Sequence, residues 1–412
     1  MHVLYIHQHF TTNAGASGTR SYDYARYLVR AGHRVTVVTG VYAMGALAPT
    51  GGNLIQTCWI DGIRVMVINV RYANQMGFLQ RVASFLLFAA LSVVACLRSG
   101  RVDVVLATST PLTVGIPALA MKWLRGVPYI FEVRDLWPAF AVSMGVLTNP
   151  LLIHLAHWAE RLFYRHASRV QTISQGLVEA LVREGIPRAK LTMIPTGVDL
   201  ELYRDVQADA SLRRQAGWQD RLIAVYAGAH SDANHLEYVV EAARLLRDDR
   251  RVAFLLIGEG RTRDRLVQMA ASYDLANILF HPRLPKQELV GVLCDADVGL
   301  VVLQPLAEFA AAMPNKLFDY LAAGLAVVVT FPGEAEGQLK AVGAGRATDP
   351  RDPADLAAAL AYWAGHRQEL LAAKQAAREL ARRYDRKVWA GRLEQVLKGV
   401  ACGKGRPRDP TR

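Results

Sequence analysis

Short runs of β-branched and aliphatic residues recur along the chain, each followed by a longer stretch in which apolar residues return every three or four positions. Unbroken apolar runs suit strands buried on both faces, and the three-to-four period suits helices that cover them. The first half predicts strands at VLYIHQ, HRVTVVTG, IRVMVINV, VDVVLATS, PYIFEV and RVQTIS, with helices at about 20–31, 78–98, 113–125, 150–165 and 175–184. The second half predicts strands at LIAVYAG, VAFLLIG, NILFHP, VGLVVL and LAVVVT, with helices at about 235–247, 262–273, 286–294, 314–323 and 353–363. The alternation stops at KLTMIPTGVDLELYR, residues 190–204, where Pro195 and Gly197 stand among polar residues, and then begins again. The pattern implies α/β architecture in two doubly wound domains joined near residue 200. Ligands in such folds bind at the carboxyl ends of the strands, so a cleft between the domains is the expected site.

At 412 residues, 52% of them apolar, the chain can bury two cores. Its four cysteines, Cys58, Cys96, Cys294 and Cys402, lack the spacing of a zinc site or a disulfide framework, which suits a reducing cytosol. The net charge of +12 raises nucleic acid, anionic membrane and phosphorylated substrates together. No zinc-finger spacing, RNP-like strand or repeated basic helix supports nucleic acid, and part of the excess sits in the tail GKGRPRDPTR. The start, MHVLYIHQHF, has no basic leader and turns polar after Ile6, unlike a signal peptide. Within residues 77–101 the longest uncharged run, Val82 to Leu97, falls short of the ~20 residues that cross a bilayer. It is expected to be a buried or interfacial helix, and the arginines around it, Arg71, Arg81, Arg98 and Arg101, suit an anionic membrane surface.

Four stretches carry candidate chemistry. In HFTTNAGASGTRSYDYARYL, Gly15 and Gly18 precede a helix, where backbone can approach an anion; a flexible turn fits equally. The stretch is not a GxGxxG fingerprint, and the second strand ends in Thr39 and Gly40 without an acid, which disfavours a nicotinamide dinucleotide. In FEVRDLWPAF, Glu132, Arg134 and Asp135 crowd the end of a strand, either as catalytic groups or as a surface ion pair. Asp295 and Asp297 form a DxD, but they join a helix to a buried strand, and no metal is expected there. In PNKLFDYLAAG, Pro314 sets Asn315 and Lys316 at a helix amino end, and Gly324 stops the helix. A diphosphate there would meet backbone donors and an ammonium, while Asp319 could accept from ribose hydroxyls. An ordinary Lys316–Asp319 pair within the helix explains the spacing as well.

Taken in order, the glycine turn with GHRVTVVTG, then DGIRVMVINVRYANQMGF, VDVVLATSTPL, FEVRDLWP, TISQGL with IPTGVD, YAG, LLIGEG, DADVGLVVL and PNKLFDYLAAG resemble the family 4 retaining glycosyltransferases, and within them the WbuB-like sugar transferases of bacterial surface-polysaccharide assembly. The resemblance covers nearly the whole chain. It implies the GT-B fold, two Rossmann-like domains facing each other across a cleft: an acceptor-side domain at 1–198, a nucleotide-sugar domain at 199–383, a helix at 384–400 crossing back to the first domain, and a basic tail at 401–412. It further implies retaining, metal-independent transfer from a nucleotide sugar, UDP-linked, to a lipid-linked saccharide acceptor, without cofactor or nucleic acid. The expected place is the cytoplasm or the inner face of the plasma membrane. A degenerate domain that binds nucleotide sugar or recruits a partner without catalysis is the alternative.

By resemblance the catalytic residues are Lys316, Arg134 and Asp135, and the donor contacts are Gly15, Gly18, Gly228, Arg283, Asn315, Lys316 and Asp319. The chain departs from the family in three places. Ala311 replaces the first of two glutamates eight residues apart, with Glu308 nearby, and Asp319 takes the second place. Arg134 stands where many relatives have histidine, and AHSDANH replaces an Arg/Lys pair after the glycine of the seventh strand.

Overall fold

The computed structural model describes residues 1–12, 19–41, 52–71 and 76–403. It divides into two compact units, Met1–Pro195 with the segment from Arg386 onward, and Thr196–Asp385.

The first unit is built on β1 (His2–Ile6), β2 (Arg34–Val41), β3 (Ile55–Ile60), β4 (Ile63–Arg71), β5 (Val104–Thr108), β6 (Tyr129–Val133), β7 (Arg169–Thr172) and β8 (Leu191–Met193). They form one sheet in the order β3-β4-β2-β1-β5-β6-β7-β8. All pairings are parallel except β3 with β4. β1, β5 and β6 are buried along their full length, the outcome expected of parallel strands covered on both faces. The helices are α1 (Arg20–Arg30), α2 (Phe78–Leu97), α3 (Gly115–Arg125), α4 (Ala139–Ser143), α5 (Pro150–His166) and α6 (Gln175–Arg183). α5 starts where the Asn149 side chain accepts from the N–H groups of Leu151 and Leu152 and Pro150 supplies the first helical residue.

The second unit carries β9 (Leu222–Ala227), β10 (Val252–Ile257), β11 (Ile278–His281), β12 (Val298–Val301), β13 (Ala326–Val329) and β14 (Gly345–Ala347), in the order β11-β10-β9-β12-β13-β14 and wholly parallel. Its helices are α7 (Ser211–Gln215), α8 (Glu237–Leu245), α9 (Arg263–Ser272), α10 (Lys286–Asp295), α11 (Asn315–Ala323), α12 (Glu334–Val342), α13 (Pro353–Gly365) and α14 (Arg367–Arg382). The last helix, α15 (Arg386–Ala401), belongs to the first unit. There Ala390, Leu393, Leu397 and Val400 join the core formed with β1, β2, β5 and α1, and Arg386 pairs with Asp23.

Successive parallel connections change direction between β1 and β5 in the first unit and between β9 and β12 in the second. Chain leaving the carboxyl ends of such a strand pair diverges to opposite faces and opens a crevice for a ligand. Gly228, Asn315 and Lys316 lie beside the second of these points.

α2 is apolar on the side that its own sheet does not cover. Ser84, Phe88, Ala89, Ser92, Ala95 and Cys96 are buried, whereas Leu86 and Leu87 are about half exposed, at 51% and 52%, and Val94 is exposed as well. Its stretch Gln80–Leu97 is long and apolar enough to cross a membrane by length and composition, longer than the uncharged run predicts, yet α2 packs against β2, β4 and α3.

Candidate active site

In the second unit the site begins at α11. Pro314, with φ −63°, precedes it, and Gly324 ends it in the left-handed conformation at φ +72°. Asn315 is therefore the first helical residue and Lys316 the second, among the N–H groups that have no partner inside the helix. The Lys316 ammonium donates to Asn234 Oδ1 at 3.1 Å and lies 3.9 Å from the centre of the Tyr226 ring. It also lies against Gly228, where a β-carbon would stand 3.2 Å from Nζ. Burial lowers the Lys316 ammonium to about 7. An aromatic ring and an amide enclose this ammonium, and no carboxylate pairs with it among the described residues.

Asp319 lies one turn further along and engages a different set. Its Oδ1 pairs with Lys286 Nζ at 2.5 Å and accepts from the Tyr203 hydroxyl at 3.0 Å. The Lys316–Asp319 pair that spacing allows is thus not formed. The two side chains diverge, one toward the end of β9 and the other toward the start of α10.

The remaining donor candidates separate. Gly228 meets Lys316, and Asn315 shares its helix end. Arg283 is exposed in the turn between β11 and α10 and makes no ion pair among the described residues. Gly15 and Gly18 lie outside the described residues. Glu308 and Ala311 belong to a short 3-10 turn, Ala307–Ala311, that precedes α11.

In the first unit, Arg134 and Asp135 leave the end of β6. The Thr110 hydroxyl donates to Asp135 Oδ2 at 3.0 Å, and the Arg134 N–H donates to Ser109 Oγ at 3.2 Å, tying the segment to the end of β5. His7, buried, and His9, half-buried, stand just beyond β1 and close enough to Arg134 to feel its charge. Burial first, and Arg134 second, holds His7 well below the usual histidine range and His9 down at about 4. Both are neutral imidazoles at neutral pH, and the His7 ring bonds the Ser21 hydroxyl at 2.8 Å.

Glu132 does not belong with them. It is fully buried, pairs with Arg20, and accepts from Thr108 Oγ1 at 2.7 Å and Gln171 Nε2 at 2.9 Å. Both members of the ion pair are out of water, and the surrounding donors satisfy the carboxylate, so this acid holds β5, β6, β7 and α1 together. The DxD acids are likewise engaged. Arg213 pairs with Asp295 at 2.7 Å and with Asp297 at 3.2 Å, and Lys374 pairs with Asp297 at 3.2 Å. Asp297 also accepts from the N–H of Ile223 at 3.0 Å, which fixes it to β9.

Sequence spacing misses Tyr203, Asn234, Lys286 and the two histidines. Each lies near its partner in space and far from it in the chain, 116 residues in the case of Tyr203 and Asp319. Two signals lie in the sequence: HQH, which follows β1 directly, and AHSDANH, which contains Asn234.

Two family models match the chain: a glycosyl transferase 4-like domain over residues 15–197 and glycosyl transferases group 1 over residues 221–365. The putative colanic acid biosynthesis glycosyl transferase WcaI of Escherichia coli (strain K12) is 33% identical over 224 residues, 52% of this chain and 54% of that protein. The probable glycosyltransferase WbjE of Pseudomonas aeruginosa is 26% identical over 267 residues, 63% of this chain and 66% of its own length. The chain thus spans between half and two thirds of these relatives. Among solved structures, Anabaena Alr3699/HepE in complex with UDP-glucose superposes with a TM-score of 0.72 over 97% of this chain and 100% of that one, at 17% identity. Two parallel α/β units matched in succession by these models place the chain in the family 4 glycosyltransferases with the GT-B fold.

Proposed function

We propose that this protein transfers a glycosyl group from a UDP-linked sugar to a hydroxyl of a lipid-linked saccharide, with retention of anomeric configuration, in the assembly of a bacterial surface polysaccharide. The observation that carries the reading is Lys316, a half-buried lysine at a helix amino end, with an acid one turn along the same helix. The departing nucleoside diphosphate develops negative charge as the glycosyl bond breaks. The Lys316 ammonium and the free N–H groups of α11 stabilise that charge where it forms. Asp319 accepts from the ribose. Asn315 and Gly228 border the diphosphate, and Arg283 extends from the turn before α10 toward the nucleotide. Arg134 and Asp135 orient the sugar or the acceptor. Because Arg213 and Lys374 occupy Asp295 and Asp297, the reaction draws its positive charge from Lys316 and the helix end rather than from a cation at the DxD.

The comparisons favour a UDP donor, since HepE carries UDP-glucose, and favour polysaccharide assembly, since WcaI is named for colanic acid. A lipid-linked acceptor and a place on the inner face of the plasma membrane rest on the first unit. Beside the exposed apolar side of α2, the neighbouring α3 exposes Trp123 and Leu124, and α5 exposes Leu151, Leu155 and Trp158. Arg98, Arg161 and Arg165 stand on the same helices or at their ends, the mixture that suits headgroups above acyl chains.

The test is a thermal-shift comparison of UDP, GDP, ADP and TDP sugars, followed by transfer to lipid-linked acceptors, with the anomeric configuration of the product read by NMR. UDP sugars should stabilise the fold, and transfer should persist in EDTA. Stabilisation by none of the sugars defeats the donor assignment, and an inverted product defeats retention.

A further inference from the structure

We infer that Lys286 is a nucleoside-binding residue, and that its ammonium and the Asp319 carboxylate act as a donor and acceptor pair on the ribose diol of the donor. The inference rests on the reading above that α11 holds a nucleotide, and it adds a residue which neither the spacing nor the resemblance assigns.

Lys286 opens α10 directly after the turn that follows β11. Its side chain is 15% exposed and that of Asp319 19%, so both are mostly enclosed while keeping a face to solvent. Asp319 Oδ1 takes both protein donors, Lys286 at 2.5 Å and the Tyr203 hydroxyl at 3.0 Å. Oδ2 has no partner among the described residues. The ammonium also lies 5.9 Å from the centre of the Tyr203 ring, which holds it from a second side. An ammonium has three protons and no acceptor, and Asp319 uses one of them.

A carboxylate alone can only accept, so both ribose hydroxyls would have to donate to it. With an ammonium alongside, one hydroxyl donates to Oδ2 while an oxygen of the diol accepts from Lys286, and each polar atom removed from water keeps a partner. The arrangement also suits an aspartate. Its side chain is one methylene shorter than the glutamate usual at this place, and a lysine reaching in from α10 supplies a contact from the other side. The Tyr203 hydroxyl holds Oδ1 alongside Lys286.

A plain structural tie between α10 and α11 would give the same ion pair, so the experiment must read the ribose itself. Binding of UDP and of 2′,3′-dideoxy-UDP to the full chain is measured by titration calorimetry for the wild type, Lys286→Met and Lys286→Arg. The wild type should prefer UDP. Lys286→Met should weaken UDP about tenfold or more, the scale of one hydrogen bond to a charged group, and leave the dideoxy analogue unchanged. Lys286→Arg should restore most of the UDP affinity. Losses equal for the two ligands, or no loss, overturn the inference and make the pair structural. Should Lys286→Met not fold, Lys286→Gln is read by the same two criteria. A folded wild type that does not bind UDP at all defeats the nucleotide reading itself, a result distinct from binding that ignores Lys286.

Discussion

Donor binding should depend on pH through Lys316. In the free protein burial places this ammonium's midpoint near 7, whereas a lysine compensated by a bound diphosphate titrates near its ordinary value of about 10.4. Above pH 7, binding must then take up a proton. Between pH 6 and pH 9 the protonated share of the free protein falls from about nine tenths to about one hundredth, so affinity for a nucleotide sugar should drop about 90-fold. A midpoint one unit higher still leaves about tenfold. The groups that face Lys316 do not change charge in this interval, because burial holds His230 at about 4 and raises Tyr226 well above its usual range. The other neighbour, Asn234, does not ionise. Stability should move the opposite way. The folded value lies below the unfolded one, so the unfolded chain binds more protons between pH 7 and about 10, and the free protein gains stability as pH rises through that window. Opposite slopes distinguish the lysine from general alkaline loosening of the fold. The assay is calorimetric titration of UDP-glucose at four pH values with the wild type and Lys316→Met, beside denaturant curves of each. The variant should bind weakly and without a slope. A flat wild-type profile, or a slope that survives in Lys316→Met, refutes the placement of this ammonium on the diphosphate.

Three further outcomes are expected. Asp135→Asn should bind donor as the wild type does and lose transfer by about a hundredfold, the scale of a misplaced reacting group; an unchanged rate would reduce Asp135 to the partner of Thr110. Glu132→Gln should cost about 3–5 kcal/mol in denaturant unfolding, because it leaves Arg20 charged and buried without its counter-ion. A loss under about 1 kcal/mol would mean that the pair is worth no more than a surface one. The protein should float with anionic vesicles at low salt, and changing Leu86, Leu87 and Val94 to serine should abolish flotation while leaving the protein folded, since Leu86 and Leu87 are already about half exposed. Flotation that persists in the triple variant would remove α2 from the membrane face.

How far the sequence could be read depended on how strongly each element is determined by its own residues. β1, β5, β9, β10 and β13 are unbroken apolar runs because neighbours cover both their faces, and a run of that kind is visible without any partner. β3 escaped because it is an antiparallel edge strand whose outward residues, Trp59 among them, stay in water. β14 is only three residues long and lies beyond periodicity altogether. α14, absent from the predicted helices, carries a legible pattern: Leu370, Ala373, Ala377 and Leu380 return at three and four residues along a strongly charged helix. α11 was bounded correctly by Pro314 and Gly324, since both ends are local chemistry. Its partners were not, because a spacing of 3 between Lys316 and Asp319 permits a contact without requiring one. The choice lay with Asn234, Tyr226, Lys286 and Tyr203, residues far away in the chain.

Glu132 shows where a stricter reading would have succeeded. Side chains alternate across a strand, so in YIFEV the odd-numbered residues share one face and the even-numbered ones the other. Tyr129, Phe131 and Val133 face the core made with α3 and α5, while Ile130 faces the core made with α1 and α15. Parity therefore assigns Glu132 to the α1 side, under a helix that begins with Arg20, and a carboxylate within a fully covered strand needs a cation there. Arg134 and Asp135 follow the last strand residue, and parity no longer binds them. Three charges near one strand end thus divide by position: Glu132, within the pleat, is committed to the fold, whereas Arg134 and Asp135, beyond it, carry no such constraint.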